Sequence, residues 1–243
     1  MLTPSALRSE AIRRSPVFLP AIAPRHDAPV ADAALTGTPD GEPLTQQIAL
    51  MGAAMSFARN AEIFGEYEPA EYLYKVISGA VRTYKILSDG RRQIGGFYLP
   101  GDIFGLEFTN EHTLAAEAIT DAKVLVIKRS VLAAIAERDA GTARDLCALT
   151  ARELQRAQAR IMLLVKSAQE RVASFLLEMA ERAAADNAIE LPMSRQDIAD
   201  YLGLTIETVS RTLTSLETSA AIDVPTSRRI VLRNRGALSR LNG

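Results

Sequence analysis

The stretch Ser194-Arg-Gln-Asp-Ile-Ala-Asp-Tyr-Leu-Gly-Leu-Thr-Ile-Glu-Thr-Val-Ser-Arg-Thr-Leu213 carries the pattern from which the fold is read. Ser194 can accept a hydrogen bond from a free N–H of the first helical turn, and Asp197 adds a carboxylate where the helix dipole favours it. Ala199 is small where two helices must cross closely. Gly203 stands where a short turn needs a positive φ. Thr205 can cap a second helix, while Ile198, Leu202, Leu204, Val209 and Leu213 supply apolar contacts between the two. The register predicts a helix-turn-helix over about 194–217. On its second helix Glu207, Ser210 and Arg211 fall at i, i+3 and i+4, so they share one face near the N-terminal end. That end of a recognition helix meets base edges in the major groove of double-stranded DNA. Arg donates two bonds to guanine, Glu accepts from cytosine N4, and Ser reaches a base or a phosphate. The competing reading is a helical hairpin with a surface Glu207–Arg211 pair worth about 0.3 kcal/mol.

Sequence on either side completes a winged domain over 167–243. Ala221–Val224 and Ile230–Leu232 flank a Pro225-Thr226-Ser227 turn and predict a β-wing. Residues 224–243 hold five arginines and no acid. Such a hairpin suits phosphates, which give affinity without sequence information. The candidate phosphate contacts are Ser194, Thr205, Thr208, Arg228 and Arg229. Net charge adds little, since nine basic residues face ten acidic ones from 167 onward. Ser167-Ala-Gln-Glu170 spells a capping box, which starts a helix over about 168–185 and marks a hinge.

Before the hinge, Cys147, Thr150, Leu154, Ala157, Ile161 and Leu164 step by 3, 4, 3, 4, 3, a heptad seam within a helix placed at 139–166. A helix packed on its own domain would also show an apolar stripe. The narrow seam and its charged flanks (Arg144, Asp145, Arg152, Glu153, Arg156, Arg160) favour a parallel homodimer. Cys147 on this seam reads either as a small apolar residue or as a redox-active thiol.

From Ile63 to Lys128 the pattern is β, within a roll domain placed at 44–138. The runs Tyr72–Ser78, Ala80–Leu87, Gln93–Leu99 and Lys123–Lys128 are short, β-branched or aromatic, with turns at Ser78-Gly79, Ser88-Asp89-Gly90 and Pro100-Gly101-Asp102. They predict an antiparallel roll, preceded by a helix from Leu44 to about Met55. Residues 1–43 hold six of the eleven prolines before Pro43, and four arginines against one acid before His26. They read as a disordered extension.

Composition excludes other classes. Of 243 residues 48% are hydrophobic and 23% charged, with net charge −1 and no Trp, so two modest cores fit better than one large core. Apolar runs are too short for a membrane helix, and no signal peptide is visible. One cysteine, Cys147, allows no intramolecular disulfide and fits the cytoplasm. With two histidines, His26 and His112, no four-ligand His/Cys metal site can form in one chain. Neither a Ser-His-Asp nor a phosphate-loop spacing appears, so an enzyme is not expected.

Residues 44–243, as roll, dimer helix and winged helix-turn-helix, resemble the CRP/FNR superfamily of bacterial transcription regulators. Ile206-Glu207-Thr208-Val209-Ser210-Arg211 is similar to the FNR-type recognition helix, and Leu87–Glu107 is similar to FixK-type members. The resemblance implies an activator that reads a TTGAT-N4-ATCAA palindrome, acting in micro-oxic respiration or nitrogen fixation. It also implies a phosphate contact by Arg195, and an RNA polymerase contact at Asp89, Gly90 and Arg91. From the residues alone that tip reads equally as a solvated hairpin. The cysteines of FNR's oxygen-sensing cluster are missing. Thr113–Thr120 lacks the arginine that holds a cyclic nucleotide, so neither cofactor is expected. His112 matches a haem ligand only as a lone histidine. A regulator gated by a ligand in the roll, or by oxidation of Cys147, is the alternative.

Overall fold

A computed structural model describes residues 43–107, 109–183 and 187–242. The extension expected over 1–43, with its arginines, lies outside the described residues except for the backbone of Pro43. The first element is α1 (Pro43–Met51), followed by β1 (Ala53–Phe57). The helix expected to reach Met55 therefore stops four residues early. Ala53–Phe57 instead pairs along the strand Ala122–Lys128, from Ala53 opposite Val126 to Phe57 opposite Ala122. Backbone bonding to a free strand edge outweighs the local helical pattern.

The roll continues with β2 (Glu62–Phe64), β3 (Tyr72–Ser78), β4 (Val81–Ile86), β5 (Arg92–Tyr98), β6 (Ile103–Phe104), β7 (Ala115–Ala118) and β8 (Ala122–Lys128). Two antiparallel four-stranded sheets result, ordered β1-β8-β3-β6 and β2-β7-β4-β5. Phe64, Tyr74, Val76, Val81, Phe104 and Val124 form the buried core of this part. Gly79 turns from β3 to β4 at φ +79°, where a Cβ would come within 2.2 Å of the Asp121 carbonyl oxygen. Of the expected strands Tyr72–Ser78 matches β3, β4 and β5 differ by a residue at each end, and β8 begins one residue earlier. Strands β1, β2, β6 and β7 had no clear sequence signal: Ala115–Ala118 reads Ala-Ala-Glu-Ala, with little β propensity.

Helices α2 (Arg129–Ala136) and α3 (Ala140–Leu163) follow. Asp139 caps α3 by accepting from the N–H groups of Gly141 and Thr142. Leu146 and Leu149 pack α3 against Leu44, Ile48, Leu73, Ile103, Ile127 and Leu132. The last part holds α4 (Ala168–Arg182), β9 (Ala188–Glu190), α5 (Arg195–Leu202), α6 (Ile206–Thr218), β10 (Ile222–Asp223), β11 (Arg229–Leu232) and α7 (Arg235–Asn242). The expected wing is thus the outer part of a three-stranded sheet ordered β10-β11-β9. The core of this part runs through Val172, Phe175, Leu176, Ile198, Val209, Leu216 and Ile230, and continues into Ile94 and Phe97 of the roll.

Candidate nucleic-acid interface

Local chemistry builds the two helices of the interface as the sequence suggests. The Ser194 hydroxyl accepts from the Asp197 N–H at 3.1 Å, and Asp197 Oδ2 accepts from the Ser194 N–H at 2.9 Å, closing a capping box on α5. Gly203 ends α5 at φ +65°, and the fully buried Ala199 lets α6 approach. Thr205 caps α6 by accepting from the Thr208 N–H at 3.2 Å, and its hydroxyl lies 3.1 Å from that of Thr208.

Val209, Leu213 and Leu216 turn one face of α6 inward. Glu207 and Arg211 are exposed on the other, with Ser210 half-buried between them. The Glu207 carboxyl is held below its usual pKa, first by its own backbone N–H and then by the Thr205 hydroxyl. It therefore stays a carboxylate, the form that accepts from a base. Arg195 extends from α5 to α6 and donates to Ser210 Oγ at 3.4 Å. A cleft of about 270 Å³ runs along this face between Arg211, Thr208, Thr212, Ser215 and Gln169. Gln169, in the first turn of α4, escaped the sequence reading because its nearness to α6 is purely tertiary.

In the wing, Thr226 Oγ1 accepts from the Arg228 and Arg229 N–H groups at 3.4 and 3.0 Å. Arg229 lies 3.8 Å from Glu190 on β9, and Arg233 pairs with Asp223 at 2.8 Å, so neighbouring acids offset part of the wing's charge.

The recognition unit is also joined to the roll. Asp197 Oδ1 accepts from Arg82 of β4 at 2.9 Å and from Arg92 of β5 at 2.6 Å. Arg92 Nε donates to Asp200 at 2.8 Å, Gln93 donates to the Asp200 carbonyl at 2.7 Å, and Arg82 also holds Glu117 at 2.9 Å. Burial alone would lower the Arg92 pKa, but its bonds to Asp200 and Asp197 outweigh this and raise it. Beside these ion pairs Phe97, Phe175 and Tyr201 pack with ring centroids 5.1–6.2 Å apart. The sequence showed the Asp197 cap but not its arginine partners, which lie more than a hundred residues away.

The seam residues occupy one side of α3, with Leu164 just past its end. Cys147, Leu154, Ala157, Ile161 and Leu164 are exposed, and Thr150 is half-buried and donates to the Leu146 carbonyl. Leu154, Ile161 and Leu164 are 59–69% exposed, and Cys147 is exposed on the single subunit. The tip Asp89-Gly90-Arg91 lies on the turn between β4 and β5 of the roll. Arg91 Nε donates to Asp89 at 2.7 Å, Gly90 sits at φ +83°, and a groove of about 840 Å³ separates Arg91 from Thr205–Thr208. His112 is inside the roll, 1% exposed and stacked on Phe64 with centroids 3.6 Å apart.

The roll, the long helix and the winged unit define a DNA-binding transcription regulator. Residues 54–139 match the cyclic nucleotide-binding domain family, and 170–241 match the Crp-like helix-turn-helix domain. The nitrogen fixation regulation protein FixK of Azorhizobium caulinodans is 53% identical, over 81% of this chain and 82% of its own. FixK of Rhizobium meliloti is 42% identical, over 74% of this chain and 82% of its own. The solved structure of FixK2 from Bradyrhizobium japonicum superposes with a TM-score of 0.77 and 54% identity, over 79% of this chain and 98% of that one. The chain belongs to the CRP/FNR family of transcription regulators, on its FixK branch. No helix among the described residues is long and apolar enough to cross a membrane.

Proposed function

We propose that two copies of this chain join along the α3 seam and activate transcription from a TTGAT-N4-ATCAA operator, in the control of nitrogen fixation or micro-oxic respiration. The observation that carries this is the outer face of α6, where Glu207 and Arg211 are exposed with the half-buried Ser210 between them. Arg211 reads guanine and Glu207 cytosine. Ser194, Arg195, Thr205, Thr208, Arg228 and Arg229 meet the phosphates, and Asp89, Gly90 and Arg91 face RNA polymerase. The printed names of the FixK relatives supply the physiological setting.

Activity without a small ligand fits the interior of the roll. Phe64, Tyr74, Tyr98 and Phe104 stack there with centroids 5.0–6.1 Å apart. Arg129 is engaged by backbone carbonyls: it donates to Ala70 at 2.7 Å, to Thr109 at 3.2 Å and to Glu107.

Fluorescence anisotropy with the ligand-free chain tests the reading at about 150 mM salt, because phosphate contacts make affinity salt-dependent. The expected result is selective binding of the palindrome over a TGTGA-type palindrome and random DNA. Arg211→Ala costs about 1–3 kcal/mol and relaxes preference at its own base pair. Equal loss on specific and random DNA would overturn the base-reading role.

A further inference from the structure

The roll and the hinge hold α5 separately. Along its body, Asp197 in the first turn and Asp200 in the last meet Arg82 and Arg92 of the roll. At the C-terminal end, Arg171 of α4 donates to the Leu202 carbonyl at 2.9 Å. The same guanidinium donates to the Leu164 and Lys166 carbonyls at 3.0 Å each, tying that end to the chain just after α3. Helix α6 rides on α5 through the buried Ala199, Leu202 and Val209. The roll in turn rides on α3 through Leu146 and Leu149. The route from the proposed dimer seam to the base-reading face therefore has two anchors on α5, the roll along Asp197–Asp200 and Arg171 at Leu202.

We propose that Arg92, with Arg82, Asp197 and Asp200, is a positioning site that fixes the half-site spacing the dimer accepts. The inference rests on the dimeric reader described above and extends it. One added base pair moves a half-site by roughly 3.4 Å and turns it by about 35° around the duplex. To follow, α5 would have to pivot about its Arg171 end. The guanidinium of Arg92 prevents this by holding two carboxylates one turn apart on the same helix. None of these four residues belongs to the base-reading face, so loosening them changes spacing tolerance and leaves base choice intact.

The test compares the full-length chain with its R92A and R92K variants on three palindromes: N4, one base pair shorter and one longer. A further duplex carries one scrambled half-site. The wild-type chain is expected to prefer N4 by about tenfold or more over either neighbour. In R92A that preference falls to about twofold while discrimination against the scrambled half-site is retained, and R92K, which keeps the charge but not the fork that bridges two carboxylates, restores only part of it. Equal weakening by R92A on all three spacers, with spacing preference intact, overturns the proposal. Half-site discrimination without any spacing preference in the wild-type chain overturns it too, and leaves the reader standing. Absence of half-site discrimination removes the reader itself.

Discussion

Asp197 is the position where one substitution acts on helix formation and domain packing together, so Asp197→Ala tests the architecture most directly. Its side chain is 5% exposed, and both oxygens are engaged: Oδ2 by Ser194, Oδ1 by Arg82 and Arg92. Loss of the reciprocal cap costs about 1 kcal/mol. Removing the shared acceptor leaves the Arg82 guanidinium, itself 10% exposed, with only Glu117, and breaking a buried pair costs about 3 kcal/mol. A total near 4 kcal/mol is a large part of the roughly 5–15 kcal/mol that holds a domain together. At about 2–4 °C per kcal/mol for a chain of this size, the melting midpoint of the winged unit drops by about 10 °C. Asp197→Asn keeps an acceptor for the cap and loses the charge, so its drop is expected to be smaller. Differential scanning calorimetry reads both variants, and the Ala variant is expected to split one transition into two as the winged unit melts first. A fall below about 3 °C, or equal falls for Ala and Asn, would refute the shared role of this carboxylate.

Two further perturbations follow from other parts of the structure. Replacing Leu154 and Ile161 by Lys places charges on the seam and leaves the packed side of α3 untouched. Light scattering is expected to find monomers at micromolar concentration, with affinity for the palindrome reduced to that of a half-site; a stable dimer with unchanged affinity would exclude the seam. The His112 pKa is lowered from 6.5, first by burial and also by the nearby Arg129, against the pull of Glu107 and Glu68. The unfolded chain therefore binds the proton more readily. This contribution to stability is complete above about pH 6.5 and declines as pH falls toward the folded-state pKa. His112→Phe is expected to flatten the pH dependence of the urea midpoint in that window, and an unchanged slope would show that His112 does not set it.

The helix-turn-helix was legible because its requirements are local. Ser194, Ala199, Gly203 and Thr205 each answer to backbone geometry within a few residues, and the structure uses them as caps, crossing point and left-handed turn. The exposed apolar stripe of α3 was legible for the same reason, since a heptad is a local periodicity. Strands β1, β2, β6 and β7 were not, because what makes them strands is the edge they pair with. Met55 opposite Val124 and Glu62 opposite Glu117 are partners no window of sequence contains. The arginine partners of Asp197 escaped for that reason as well: a basic side chain on a strand is read as solvated until the opposing domain is in place.

The exposed stripe and the packed stripe of α3 divide the work between subunit and dimer. Thr142, Leu146 and Leu149 are spent within the subunit, where Thr142 is fully buried. Leu154, Ile161, Leu164 and Val165 remain 59–82% exposed. Covering one such side chain is worth about 1.5–3 kcal/mol, and a symmetric pair covers each of them twice. The sum is of the same order as the roughly 4–15 kcal/mol that association costs, which supports the proposed pairing along this face. Because the packed stripe fixes α3 to the roll and the arginines fix the roll to α5, the energy that joins two subunits also sets where both recognition helices stand.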